Sequence, residues 1–207
     1  MKVLLINGSP RKGGNTFVAL SEIAQTLKQE GIESEIVWIG NKPVRGCIAC
    51  GRCKVNNDGH CVFNDDVCNL ISDKYQEADG FVFGSPVYYG QPNGALLSIM
   101  QRSFFSNGDN VQNKPSAVVA ICRRGGATAA FETLQMPLEM MNMPIATSQY
   151  WNIAYGREQG EAKQDTEGMQ TMRTLAHNLA WMLRGLRGEN APAVPEREEW
   201  QPMHFIR

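Results

Sequence analysis

Neither sign of charge is in excess here: 20 Lys and Arg stand against 21 Asp and Glu, a net charge of −1 over 207 residues. No Lys/Arg-rich run breaks that balance, which argues against a nucleic-acid surface. No apolar run approaches the ~20 residues of a membrane span, so no membrane contact is expected. Met1-Lys2 opens straight into an apolar segment with no room for a secretion signal, and a cytoplasmic location is expected. Histidine is scarce. His60, His177 and His204 suggest no Ser/His/Asp constellation; the last two read as structural, and His60 borders Cys61. Two phosphate-binding patterns are also missing. Gly8 and Gly13 have the spacing of a nucleotide-triphosphatase loop, but Gly14 and Asn15 replace its Lys and hydroxyl residue. The dinucleotide pattern Gly-x-Gly-x-x-Gly is absent there too.

What is present is a 43% hydrophobic chain in which strand-like and helix-like segments alternate. Apolar runs at Val3–Ile6, Ser34–Ile39, Gly80–Gly84, Ser116–Cys122 and Pro144–Tyr150 predict five strands. Helices are expected over about Asn15–Glu30, from Asp65-Asp66, over Asn93–Phe105, over Ala127–Met141 and over Asp165–Leu186. Met169, Met172, Ala176, Leu179, Leu183 and Leu186 recur at helical spacing, a core stripe. Such alternation gives an α/β three-layer sandwich with a five-stranded parallel sheet, fitting the flavodoxin-like order 2-1-3-4-5. Residues 1–187 read as a single domain. The tail 188–207 contains Pro192, Pro195 and Pro202, which exclude a helix, and Trp200, Met203 and Phe205, which are costly to leave in water. It is expected to wrap its own domain or a neighbouring subunit.

Ligands of such sheets bind beyond the carboxyl ends of the strands. After the first strand, Asn7-Gly-Ser-Pro-Arg-Lys-Gly-Gly-Asn-Thr16 opens a helix, where unpaired N–H groups and the dipole favour a dianion. Ser9 and Thr16 add hydroxyls, Asn15 an amide and Arg11 a planar charge. With the triphosphate and dinucleotide patterns missing, the remaining ligand is a terminal monophosphate, and FMN carries one. After the third strand, Gly84-Ser-Pro-Val-Tyr-Tyr-Gly-Gln-Pro-Asn-Gly94 places adjacent tyrosines where a flat amphipathic ring would lie. After the fourth, Arg123-Arg-Gly-Gly-Ala-Thr128 offers amides and positive charge for the anionic edge of a reduced flavin. Tyr150, Trp151 and Asn152, after the presumed fifth strand, are candidates for the acceptor side.

Six cysteines in a reducing compartment point to metal or redox chemistry rather than disulfides. Cys47, Cys50 and Cys53 at three-residue spacing, followed by Cys61, form C-x2-C-x2-C-x7-C. Three readings stand at this point: a [4Fe–4S] cluster, four free thiols that merely pack, or a zinc ion. Gly46, Ala49 and Gly51 would let backbone approach the sulfurs. Cys68 and Cys122 read as buried core thiols.

The segments 7–16 and 84–90 resemble the two characteristic loops of the NAD(P)H-dependent FMN reductase family, and 47–61 resembles its iron–sulfur flavoprotein branch. The likeness runs from about Lys2 to Arg187. It implies a flavodoxin-like fold, bound FMN, and homodimers or homotetramers with flavins near subunit interfaces. By motif position it implies that Ser9, Arg11, Asn15 and Thr16 hold the phosphate. Pro86, Val87, Tyr88, Tyr89 and Gly90 would flank the ring, with Arg124, Gly125 and Gly126 at its pyrimidine edge. The activity implied is transfer of electrons from NAD(P)H to a quinone, a nitro- or azo-aromatic, a flavin or a protein acceptor. No side chain is assigned as catalytic, because the flavin carries the chemistry. The alternative is an iron–sulfur flavoprotein with Cys47, Cys50, Cys53 and Cys61 as cluster ligands, an electron carrier between ferredoxin-like partners.

Overall fold

A computed structural model of the chain describes residues 1–199, 201 and 203. Its elements are β1 (Lys2–Asn7), α1 (Asn15–Gln29), β2 (Glu33–Trp38), α2 (Arg52–Asn56), α3 (Cys68–Lys74) and β3 (Gly80–Tyr88). Then come β4 (Gln91–Pro92), α4 (Gly94–Asn107), β5 (Ser116–Cys122), α5 (Ala127–Met140), β6 (Ile153–Tyr155) and α6 (Thr166–Arg187). The sheet order is β2-β1-β3-β5-β6, all parallel, with β4 folding back antiparallel on the end of β3. Apart from that small hairpin, this is the expected flavodoxin-like order.

Alternation along the strands builds both halves of the core. Leu4, Ile6, Phe81, Phe83, Val118 and Ala120 face α3, α4 and α5. Val3, Leu5, Val82, Ala117, Val119 and Ile121 face α1 and α6. Leu20, Ile23 and Leu27 of α1 are buried, as are Met169, Met172, Ala176, Leu179 and Leu183 of α6, so the methionine stripe is packing. Leu186, at the end of that stripe, is exposed.

The fifth strand is not where the apolar run at Pro144–Tyr150 placed it. That segment touches the sheet only at an isolated bridge, Ser116 with Ile145. Between that bridge and the Ala120–Ile153 pair, the edge segment spends four more residues than β5 does. The surplus loops out. Pro144 has no N–H to give the ladder, and Ser148 Oγ bonds to the carbonyl of Tyr150 and to Asn152 Oδ1. Tyr150, Trp151 and Asn152 therefore lead into the last strand instead of leaving it. Two smaller differences concern the termini of elements. β3 continues through Tyr88 instead of stopping at Gly84, and α3 begins at Cys68, where Asp66 Oδ1 accepts from the Cys68 amide.

Beyond Arg187 the described residues of the tail form no helix or strand. Trp200, Pro202, His204 and Phe205 lie outside the described residues. Among the described residues no helix is long and apolar enough to cross a membrane.

Candidate functional site

A cleft of about 180 Å³ lies beyond the carboxyl ends of β1, β3, β5 and β6. Its phosphate-loop wall is shaped by β1 itself. Asn7, fully buried, accepts the Ser9 amide on Oδ1 and donates from Nδ2 to the Lys12 carbonyl, each at 3.1 Å. The Arg11 amide donates to Ser9 Oγ, and Trp38 Nε1 donates to the Ser9 carbonyl at 2.7 Å. α1 then starts from Gly14 with no side-chain cap and no acidic residue in its first turn. Its first amides are thus open to an external anion.

The neighbouring loop is locked to this one. The Gly8 amide donates to the Gly84 carbonyl at 2.8 Å, and a Cβ on Gly8 would stand 2.7 Å from that oxygen. Asn93 joins the two loops a second time: Nδ2 donates to the Gly8 carbonyl, the amide to Ser85 Oγ, and Oδ1 caps α4 at the Ala95 amide. Asn93→Ala removes a cap and an inter-loop bond together. We expect a loss of about 2 kcal/mol of stability and weaker FMN binding, read by urea denaturation and by fluorescence titration.

Of the residues expected here, Ser9, Arg11, Asn15, Thr16, Pro86, Val87 and Tyr88 line the cleft. Tyr89, Gly90, Arg124, Gly125 and Gly126 do not. Tyr89 has φ +51° and its ring is wholly in solvent. Gly90 and Gly126, both at positive φ, meet beside Val87, where a Cβ on Gly126 would stand 2.7 Å from Gly90 Cα. Arg123 lines the cleft where Arg124 was expected. Asn15 also clamps the far wall: its Nδ2 donates to the Glu158 carbonyl and its Oδ1 accepts the Ala162 amide, while the residue itself lines the cleft.

That clamp exposes a wall the sequence reading missed: Gly156, Arg157 and Gln159 also line the cleft. Glu161 Oε2 takes the amides of Arg157 and Glu158, bonds that hold its carboxyl below the usual range. A strand ending at Tyr155 with Gly156 behind it is the signal, and misplacing the strand hid it. Cys122 lines the cleft as well, buried, its thiol pushed up by desolvation. Tyr150, Trp151 and Asn152 are not among the lining residues.

Cys47, Cys50, Cys53 and Cys61 converge on a second, smaller pocket together with Ile48, Gly51, Phe63, Arg102 and Phe105. Positive φ at Ala49 (+52°) and Gly51 (+68°) turns the loop, and the Ala49 amide donates to Cys47 Sγ at 3.4 Å. Cys47 and Cys50 are exposed and Cys53 is buried. Among the described residues no three His, Cys, Asp or Glu side chains are gathered tightly enough for a single ion. His60 turns to Asp73, 2.6 Å from Nε2 to Oδ1. Cys68 is a buried core thiol as expected, pushed up to about 12 by desolvation. Arg102 was not anticipated. A lone Arg inside an apolar helix pattern gives no sign of its partners, which are 36 to 57 residues away.

Residues 1–158 match the profile of the NADPH-dependent FMN reductase family. The chain belongs to that family. An iron–sulfur flavoprotein of Methanocaldococcus jannaschii is 33% identical over 192 residues, covering 89% of this chain and 98% of that one. An iron–sulfur flavoprotein of Methanosarcina thermophila is 31% identical over 189 residues, covering 88% and 95%. These relatives match the branch suggested by the cysteine segment. RosB, solved with a bound riboflavin-phosphate intermediate, shares the fold at TM-score 0.70 and 17% identity, covering 100% of this chain and 95% of its own. A flavodoxin from the Archaea does so at 0.61 and 13%, covering 89% and 99%. Membership in the FMN reductase family and this fold support an FMN-dependent electron-transfer flavoprotein.

Proposed function

We propose that this member of the FMN reductase family is a two-centre oxidoreductase, with FMN in the cleft and a [4Fe–4S] cluster on Cys47, Cys50, Cys53 and Cys61. The single observation that carries it is the convergence of those four cysteines on one pocket. Packing alone is a poor account of Cys47 and Cys50, which are exposed. Three ligands so close in sequence suit a cluster better than a single zinc ion. A cubane takes one thiolate at each of four irons, a wider arrangement.

The protein's part in the flavin chemistry is binding and orientation. The open start of α1, Ser9, Thr16 and Arg11 receive the phosphate. Pro86, Val87 and Tyr88 give the ring an apolar wall, and the loop after β5 gives its pyrimidine edge amides and the Arg123 charge. Arg157 adds a further cation at the mouth. Bound FMN supplies hydride acceptance and one- or two-electron release. The electron source is NAD(P)H or a ferredoxin-like protein, and the acceptors are quinones, nitro- or azo-aromatics, free flavin or a protein. A homodimer or homotetramer is the proposed assembly, supported by an apolar groove that includes the exposed Phe105, Met136 and Met140.

Anaerobic purification followed by iron, sulfide and FMN assays on one sample tests the two-centre reading. About four irons per FMN is expected; a clean flavin spectrum without iron overturns it. NADH and NADPH are then mixed rapidly with the oxidised protein. Bleaching identifies a reductase fed by nicotinamide, whereas reduction by ferredoxin alone identifies a carrier between proteins.

A further inference from the structure

α4 starts beside the flavin loop at Asn93 and turns one face toward the cysteine segment. Arg102 lies on that face and is only 1% exposed. Its donors are spent on that segment. Nε donates to Cys61 Sγ at 3.3 Å, Nη1 to the Arg45 carbonyl at 3.2 Å and to Asp66 Oδ2, and Nη2 to the Phe63 carbonyl at 3.1 Å. Arg45 precedes the first cysteine, while Cys61, Phe63 and Asp66 are the fourth cysteine and the residues after it. One buried side chain therefore fastens both ends of the loop that presents all four sulfurs. The guanidinium carbons of Arg102 and Arg45 both lie over the Phe63 ring, 5.5 and 4.6 Å from its centroid.

An arginine so placed is a costly device. Burial takes its charge out of water, and Asp66 and Cys61 Sγ answer that charge directly. A core position needing only volume would be better served by an apolar residue, and a loop needing only a clasp could use neutral amides. What a guanidinium adds is a rigid fork of five donors, one of them aimed at a sulfur. Hydrogen bonds to ligating sulfur spread its negative charge, which favours the reduced, more negative form of a cluster and raises its potential.

Resting on the cluster reading above, we infer that Arg102 is a positioning residue for the iron–sulfur centre: it closes the ligand loop and, through Nε–H on Cys61 Sγ, raises the cluster's reduction potential. The residue does not line the flavin cleft, so its effects are confined to one centre. Asp66 is part of the same device. It is buried against Arg102 and accepts the Cys68 amide on its other oxygen, so removing Arg102 alone would strand a buried carboxylate.

The test compares wild type, Arg102→Lys, and the double variant Arg102→Gln with Asp66→Asn, which removes both charges together and keeps an acceptor at the start of α3. Each is purified and reconstituted anaerobically with iron and sulfide. FMN content, iron retention through gel filtration, and the cluster midpoint potential from an EPR-monitored titration are then measured. The double variant is expected to keep wild-type FMN, lose iron several-fold faster and show a lower cluster potential. Arg102→Lys, which keeps the charge without the fork, should fall between the two. Unchanged iron retention and potential in the double variant overturns the inference. If the double variant holds no iron, a wild-type potential in Arg102→Lys overturns it instead, and FMN loss in both variants does so by marking a general folding role. Wild-type protein that takes up no iron removes the cluster reading and this inference together, an outcome distinguishable from the others.

Discussion

Gly14→Asp is expected to stabilise the flavin-free protein and to abolish useful FMN binding. Gly14 occupies the cap position of α1 with φ −77° and ψ −173°, extended backbone that any residue adopts. Aspartate is among the best capping residues, and its carboxylate would accept one of the first amides of α1. Relative to glycine this is worth a few tenths of a kcal/mol, or about 1 with the helix dipole. A Cβ there would stand 3.2 Å from Arg11 Cβ, 3.3 Å from the Arg11 carbonyl oxygen and 3.5 Å from Ser9 Oγ, so the loop has to give slightly to seat it. The same carboxylate would stand where the phosphate dianion belongs. Loss of open donors and like-charge repulsion should together cost about 3 kcal/mol, roughly a 100-fold weaker Kd. Urea denaturation of apoprotein and flavin fluorescence titration give the two numbers. Opposite signs are the diagnostic result. If stability rises and the affinity holds, the phosphate is elsewhere.

On the proposed two-centre reading, Cys50→Ser should empty the cluster site while leaving the FMN site intact. Cys50 is exposed, so the substitution is expected to change stability by no more than about 0.5 kcal/mol. A serine hydroxyl replaces a thiolate ligand poorly, and iron and sulfide should fall to a small fraction of the wild-type content. FMN should stay near one per chain, because none of the cysteines of this pocket lines the flavin cleft. The contrast matters because the buried Cys53 would confound lost ligation with lost packing. Wild-type iron content in Cys50→Ser would remove that residue from the ligand set.

Most of the architecture was legible because it is written locally. Buried parallel strands appear as apolar runs, α1 and α6 as stripes of apolar residues, and the phosphate loop as glycines between a strand and a helix. The fifth strand was misread because Pro144–Tyr150 has a strand's composition, whereas it reaches the edge only through Ile145 and the ladder resumes at Ile153. That single error concealed Arg157 and Gln159, which follow the true strand. The roles of Asn7, Asn93 and Arg102 were not legible for another reason. An asparagine or arginine looks the same in sequence whether it is solvated or buried, and Asn93 finds its partner 85 residues away. Asn15 shows the same limit: its place in the loop was legible, but not its bonds to the Glu158–Ala162 turn, more than 140 residues away.

The cysteine segment enters after β2 and leaves at α3, with only the five residues of α2 regular inside it. It is fastened from outside by a few side chains, chiefly Arg102, with Asn69 bonded to the backbone of Cys61 and Phe63. In terms of descent, such a segment is an interchangeable part. A lineage can shed or regain a one-electron centre by changing a handful of positions between two fixed elements, with no compensating change around the flavin. On the two-centre reading, the cluster and the flavin are then free to drift in potential independently.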